Sequence, residues 1–336
     1  MPSRPAILMS LGEFELIERF FARAGERARV AGRRADVVAG IGDDAAVLRV
    51  PEGAELVAAT DTLIAGVHFP VDTAPDAIGH KALAVNLSDL AAMGAEPAWA
   101  MLALTLPEAD EAWLGEFARG FLALAGRHRV ALVGGDTTRG PLSITVQALG
   151  WVPRGSALRR AGAHPGDHLY VTGTLGDAAL ALEGLRGTRR VPRAVLAALR
   201  RRLDRPEPRI GAGLALRGVA SAAIDVSDGL LADAGHLARA GGVGITVWPQ
   251  ALPRSADYRT ASNGEEDWEA ALSGGDDYEL CFSVPPGREE ALRALGCPVT
   301  RIGVVEAGSG VRCLRRDGSP LHPAQVGYTH FPGAQT

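Results

Sequence analysis

The stretch "AIDVSDGLLAD" runs an apolar approach directly into Asp225 and Asp228, then a glycine, then a helical pattern. A carboxylate at the end of what reads as a buried strand is costly to desolvate. A cation, a set of backbone N–H donors or a bound metal must compensate it. The same pattern recurs along the chain. "GIGDDAAVL" sets Asp43 and Asp44 between a glycine turn and a strand, and "AATDTLIAG" sets Asp61 inside a strand-like run beside Thr60 and Thr62. "NLSDLAAMG" puts Asp89 on a mostly apolar helix, and "LVGGDTTRG" puts Asp136 just after a strand and two glycines. "SGGDDYE" adds Asp276, Asp277 and Glu279. A chain patterned this way needs layers of strand and helix whose ends keep these acids out of the apolar interior.

Taken singly, each acid has an ordinary explanation in turn and helix-cap chemistry. Asp228 would cap the helix "GLLADAGHL", and Asp277 would close a turn. Asp61 and Asp89 fit that explanation badly, since neither lies in a turn. Gathered in one cleft, so many carboxylates would repel one another unless divalent cations held them. Hard oxygen donors without a histidine or cysteine cluster select Mg²⁺ over zinc. Mg²⁺ usually bridges carboxylates to substrate phosphates rather than sitting in a protein cage. Gly134–Gly135, Gly274–Gly275 and Gly173 suit a close backbone approach to phosphate. Arg139 and Arg160 could bind phosphate oxygens, although in so arginine-rich a chain each is ordinarily a solvated surface residue. From the residues alone, the pattern indicates a polymetal site for a phosphorylated nucleotide. It is compatible with phosphoryl transfer, phosphate-activating ligation and hydrolysis alike.

Composition removes several classes. Of 35 lysines and arginines only Lys81 is lysine, and it stands in "IGHKALA", so there is no Walker A loop. The H-R-D and D-F-G signatures of protein kinases are also missing. A net charge of −4 gives no global basic field for nucleic acid or an anionic membrane. No apolar run approaches the roughly 20 residues a bilayer span needs. The patch in "MPSRPAILMS" is too short for a signal-peptide core. Cys281, Cys297 and Cys313 form no C-x-x-C pair and read as reduced thiols of a cytoplasmic protein.

With 336 residues and 47% hydrophobic content, the chain can build one large domain or two ordinary ones. Helical spacing runs from Phe14 to Phe21, and helices are expected over 79–93, stopped by Gly94 and then Pro97, around 110–127 and, arginine-rich, over 191–203. Strands are expected at "AAVLRV", "ELVAATDTLIAG", "WAMLALTL", "VALVGG" and "LSITVQALGWV". The second half alternates the strand "HLYVTG", the helix "TLGDAALALEGL", the strand "SAAIDV", the helix "GLLADAGHLARA" and the strand "GITVWP". It continues through "YELCFSV", a helix at 287–295 and strands from about 299. "PRGSALRRAGAHPGD" reads as the connection between two domains, residues 1–152 and 153–336. The alternation indicates an α/β or α+β fold.

In order, "GEFELI", "GIGDDAAVL", "TDTLIAGVHF", "KALAVNLSDLAAMGAEPAW", "GGDTTRGPLS", "AIDVSDGL" and "SGGDDYELCF" resemble the thiamine-monophosphate kinase family. The likeness runs from Gly12 to Phe331. "NLSDLAAMGA", "GGDTTRG" and "SGGDDYEL" together are highly specific. That family is related to aminoimidazole ribonucleotide synthetase and selenophosphate synthetase. The resemblance implies an N-terminal domain, for ATP, Mg²⁺ and dimerisation, whose strands form a barrel-like sheet at a homodimer interface. A C-terminal α/β domain would complete the cleft.

The implied reaction is transfer of the ATP γ-phosphoryl group to thiamine monophosphate. By motif, Asp44, Thr60, Asp61, Asp89, Asp136, Asp225 and Asp228 would hold several Mg²⁺ ions, with Asp136, Asp225 and Asp228 central to catalysis. Gly135, Asp136, Arg160 and Ser227 would contact ATP, while His68, Asp276 and Tyr328 would meet the thiamine substrate. Position 59 is alanine where some relatives place a serine, and position 276 is aspartate where relatives often carry glutamate. A ligase of the same superfamily is the nearest alternative, although "SGGDDYEL" is kinase-like. Selenophosphate synthetase is disfavoured because no cysteine precedes Cys281. A catalytically silent nucleotide-binding dimer is a third possibility, against which the intact acid set stands.

Overall fold

The computed structural model describes residues 13–22 and 36–330. The patch in "MPSRPAILMS", Gly12 and Phe331 lie outside the described residues. The N-terminal helical spacing is realised as α1 (Glu13–Leu16), which widens into a π-helical turn over Ile17–Ala22. Leu16 and Phe21 supply its buried side. The run "AAVLRV" yields only a short strand, β2 (Val47–Leu48), paired antiparallel with β1 (Val37–Ala39).

Four longer strands make one sheet: β3 (Ala54–Ile64), β4 (Glu96–Leu106), β5 (Ala131–Arg139) and β6 (Ser143–Pro153), in the order β3-β6-β4-β5. Between β3 and β4 lies α2 (Pro75–Ala92), buried without a break from Ile78 to Ser88. β4 and β5 run parallel, so a crossover must join them, and α3 (Glu111–Arg127) supplies it. Asp110 starts α3 by accepting the N–H groups of Ala112 at 2.9 Å and Trp113 at 3.1 Å.

β5 is longer than "VALVGG" implied. Its register against β4 shifts where Ala100 pairs Leu132 and Met101 pairs Gly134, leaving Val133 as a bulge. Pairing then continues, so Asp136 stands within the strand, opposite Ala103, rather than after it. Position 135 must be glycine for a local reason: a Cβ there would lie 1.8 Å from the Leu102 carbonyl oxygen.

The remaining strands are β7 (His168–Thr172), β8 (Ala222–Val226), β9 (Gly244–Val247), β10 (Glu279–Val284), β11 (Val299–Glu306), β12 (Gly310–Leu314) and β13 (Pro320–Leu321). They form a seven-stranded sheet in the order β13-β12-β9-β11-β7-β10-β8. All its pairs are antiparallel except β9 with β12. Every residue of β8, β9 and β10 is buried, the mark of a sheet covered on both faces. Among the described residues, six α-helices belong to this half: α4 (Asp177–Leu185), α5 (Arg193–Asp204), α6 (Ile210–Leu216), α7 (Leu230–Gly241), α8 (Ala256–Ala261) and α9 (Glu269–Ser273). Leu180, Leu199, Leu230 and Leu237 from the helices pack with Val171, Ile224 and Ile245 from the strands in one apolar core.

α6 follows the Pro206–Pro208 entry, a stretch too short and proline-flanked to declare itself in the sequence. The helix expected at 287–295 is 3₁₀ over Glu289–Leu295. Chain contacts divide the molecule into two compact units, one of residues 1–50, 60–83 and 98–148, the other of 51–59, 84–97 and 149–336. The architecture is the expected mixed α/β. Among the described residues the four-stranded sheet does not close into a barrel, and β3 and β5 are its outer strands.

Candidate active site

In the second unit, the opening stretch is β8, a tight turn and α7. Asp225 is the fourth residue of the wholly buried β8, 4% exposed, and accepts the Ser88 hydroxyl at 2.8 Å. Ser88 immediately precedes Asp89, so this bond brings the end of β8 to the part of α2 that carries that acid. Asp89 itself is half-buried, unlike the residues before it.

Asp228 does not cap α7 with its side chain. The capping position is Gly229, with no side-chain bond, and Asp233 reaches back from inside the helix instead. One Asp233 oxygen accepts the N–H groups of Ser227 and Asp228, both at 3.1 Å. Burial first, and then the charges of Asp225 and Asp228, push the Asp233 carboxyl up to about 8. Asp225 and Asp228 are thus near enough to Asp233 for their charges to act on it, and a cation at this strand end would relieve that repulsion.

Three successive carbonyls after Ile224 tie this turn to two other segments. Val226 O accepts the Tyr278 N–H at 2.8 Å, Ser227 O accepts the Asp276 N–H at 2.8 Å, and Asp228 O accepts the Tyr328 N–H at 2.9 Å. Asp276 and Tyr328, far apart in sequence, are therefore held beside Asp228 by main-chain bonds. Tyr328 is 51% exposed and its ring meets His330 edge-on at 5.0 Å. Arg159 O accepts the Ala223 N–H at 3.1 Å, which draws the exposed Arg160 toward the same strand. His236 on α7 lies in the field of Arg239, Arg160 and Asp228. Burial, then Arg239 and Arg160, lower its pKa.

Below this turn lies a buried polar layer that the sequence did not announce. Glu279 is wholly buried and accepts Arg209 through both Nε and Nη2 at 2.5 Å, Arg202 at 2.9 Å and the Thr172 hydroxyl at 2.7 Å. Asp277, expected to close a turn, is buried and accepts the Gly176 N–H with both oxygens, at 2.8 and 3.0 Å. Burial holds its pKa well above the usual carboxylate range. The glycine at 173, considered above for phosphate, is required by this layer, since a Cβ there would stand 2.0 Å from a Glu279 oxygen. A pairing of buried acid with arginine could have been suspected from the arginine-rich α5. Nothing local marks Arg209 as its partner.

The first unit holds the remaining candidates. Asp43 and Asp44 are exposed between β1 and β2. Thr60 and Asp61 lie on β3, while Gly135 and Asp136 lie on β5. These are the opposite edges of the four-stranded sheet, separated by β6 and β4, so the chain does not by itself pair Asp61 with Asp136. His68 Nδ1 accepts the Ile64 N–H at 3.0 Å, a local turn bond that fixes the ring. Lys81 is 1% exposed within α2. Cys281 and Cys313 are buried and Cys297 is half-buried, all as free thiols. Trp99 and Trp268 are buried, and Trp248 lies under Arg301 at 5.3 Å, as packing residues would.

Mg²⁺ is chemically suited to this donor set, which is all oxygen and mostly carboxylate. Among the described residues no three His, Cys, Asp or Glu side chains gather into a complete ligand set. Phosphate and water oxygens would have to fill the remaining positions, the usual state of Mg²⁺ at a nucleotide site.

Comparison with known proteins gives this arrangement its class. Residues 42–152 match the family model "AIR synthase related protein, N-terminal domain", and residues 164–314 match the corresponding C-terminal domain. The structure is also similar to hydrogenase maturation protein HypE in complex with ATP, with a TM-score of 0.75 at 20% identity, a likeness of fold. Within that class the relatives are specific. Thiamine-monophosphate kinase of Salmonella typhimurium is 50% identical over 330 residues, covering 96% of this chain and 99% of the relative. The crystal structure of the Stenotrophomonas maltophilia enzyme matches with a TM-score of 0.83 at 50% identity, over 93% of this chain and 99% of that one. AaThiL complexed with AMPPCP and TMP matches with a TM-score of 0.75 at 34% identity, over 98% and 100%. The chain belongs to the thiamine-monophosphate kinase family.

Proposed function

We propose that this chain transfers the γ-phosphoryl group of ATP to thiamine monophosphate, giving thiamine diphosphate and ADP. The observation that carries the reading is the run of carbonyls from Val226 to Asp228, which holds Asp276 and Tyr328 beside Asp228. Groups suited to phosphate and groups suited to an organic cation are thereby fixed on one turn. In the reaction a phosphate oxygen of thiamine monophosphate bonds to the γ-phosphorus as the bond to the β,γ-bridging oxygen breaks. The acceptor is already an anion, so alignment and charge neutralisation matter more than a strong general base.

Asp44, Thr60, Asp61, Asp89, Asp136, Asp225 and Asp228 would hold Mg²⁺ ions, whose charge offsets repulsion between the two phosphates. Gly135, Arg160 and Ser227 bind the nucleotide with Asp136. The half-exposed Tyr328 ring receives the thiazolium cation, a contact worth about 0.5–2 kcal/mol. His68 and Asp276 bind the rest of the thiamine substrate.

Residues 1–152 act as the nucleotide-binding and dimerisation domain and 153–336 as the domain that completes the cleft. A homodimer is supported by the open edges of the four-stranded sheet and by exposed Leu56 and Ile64 on β3, at 52% and 42%. Closure of the sheet into a barrel with a second copy follows from that reading. Free thiols, and the lack of any helix among the described residues long and apolar enough to cross a membrane, support a cytoplasmic location.

The test is purified protein with Mg-ATP and thiamine monophosphate, following ADP and the thiochrome fluorescence of thiamine diphosphate. Equal amounts of both products are expected. ADP without thiamine diphosphate would point to the ligase alternative, and bound ATP without ADP would leave a silent binder.

A further inference from the structure

Asp276 and Tyr278 flank Asp277 in "SGGDDYEL", and both have positive φ, 65° and 51°. The only other non-glycine residue of this kind among the described residues is Arg129. A left-handed backbone is unfavourable for an aspartate and more so for a bulky tyrosine, and it persists only where the surroundings impose it. Here they do. The Asp276 and Tyr278 N–H groups are tied to Ser227 and Val226, both at 2.8 Å. Asp277 between them is fastened to the Gly176 N–H, and Glu279 behind them is clamped by Arg202, Arg209 and Thr172.

The strained turn has a specific result. It brings the hydroxyl of the buried Tyr278 within 3.0 Å of one carboxylate oxygen of Asp276, a side chain two residues away in the chain. Neighbours at that spacing in an extended strand would point to the same face but stand too far apart for such a bond. A hydroxyl donating to a carboxylate is a strong, directional contact. It fixes the torsions of Asp276 before anything binds.

We propose that Tyr278 is a positioning residue for thiamine monophosphate: its hydroxyl holds the Asp276 carboxylate in the orientation that receives this substrate. The inference rests on the reading above that Asp276 meets the thiamine substrate, and it adds a residue which that reading does not use. A carboxylate held in advance loses no rotamer freedom on binding, and freedom of that size corresponds to roughly a 3- to 10-fold change in affinity. The strain in residues 276–278 is then spent on substrate recognition rather than on packing alone.

Steady-state kinetics and thermal melting of Tyr278→Phe, Asp276→Ala and the double variant test this. Tyr278→Phe should raise KM for thiamine monophosphate roughly 3- to 10-fold while KM for ATP and the melting midpoint stay at wild-type values. Added to Asp276→Ala, it should cause no further rise. If Asp276→Ala raises KM for thiamine monophosphate and Tyr278→Phe does not, the positioning role is wrong and the substrate reading stands. If Asp276→Ala leaves that KM unchanged, both fall. A Tyr278→Phe protein that melts early, or in which both KM values move together, would make the hydroxyl structural and overturn the proposal.

Discussion

Arg209→Ala should be among the most damaging single changes outside the proposed phosphate site. Glu279 is wholly buried, and Arg209 is the partner that meets both of its oxygens, at 2.5 Å each. Removing one member of a buried ion pair costs about 3–5 kcal/mol, because the other charge is left uncompensated. Arg202 at 2.9 Å and Thr172 at 2.7 Å remain on Glu279, which places the expected loss at the lower end, about 3 kcal/mol. For a domain of this size that is a fall in melting midpoint of about 6–12 °C.

The diagnostic comparison adds Glu279→Gln. Glutamine still accepts from Arg202 and Thr172 but carries no charge to strand. The double variant should therefore lose less than the two single losses summed, by about 1–3 kcal/mol. Differential scanning calorimetry of the four proteins at one pH and salt measures this. An Arg209→Ala midpoint within about 2 °C of wild type would refute the reasoning, as would strict additivity.

Asp277 has its pKa raised by burial. A carboxyl whose folded pKa lies above its unfolded value stabilises fully below the unfolded value and loses that contribution as pH rises through the folded one. The stability of wild type relative to Asp277→Asn should therefore fall steadily from about pH 4 upward, and melting curves showing a constant difference would contradict it. Asp228→Asn should lower kcat by about 100-fold or more with the melting midpoint little changed, since the Asp228 side chain makes no cap bond. An early melt would instead mark this acid as structural.

The sequence exposed some elements far better than others. The helix around 110–127 was readable because α3 has one wet and one dry face, whereas its Asp110 cap emerged only with the structure. α2 was found from its Gly94 and Pro97 stops rather than from periodicity, since a helix buried from Ile78 to Ser88 has no polar face to give a period. "VGGDTT" read as a strand and a turn because two glycines ordinarily end a strand. The bulge at Val133 that carries β5 onward depends on pairing with β4, which no local pattern encodes.

In the site, Asp225 and Asp228 stood out because their neighbours are apolar. Asp233 did not, because an acid one turn into a helix looks like a solvated residue until its bonds to Ser227 and Asp228 are seen. The Arg202–Arg209–Glu279 cluster joins segments some 70 residues apart, and a charge at that range has no signature in one sequence.

The strand order of the larger sheet bears on how the protein is made. β7 lies between β10 and β11, and Val171 pairs with Cys281 while Thr172 pairs with Val299. Both neighbours of this apolar strand are thus translated more than a hundred residues after it. At about 5–20 residues per second, a nascent β7 waits roughly 5–25 s for its first partner. During that interval the ribosome-bound chain presents two open edges of "HLYVT" to anything nearby. Production of intact protein should consequently depend on chaperone capacity and on elongation rate over residues 173–280, and chains truncated before β10 should be found in the aggregated fraction.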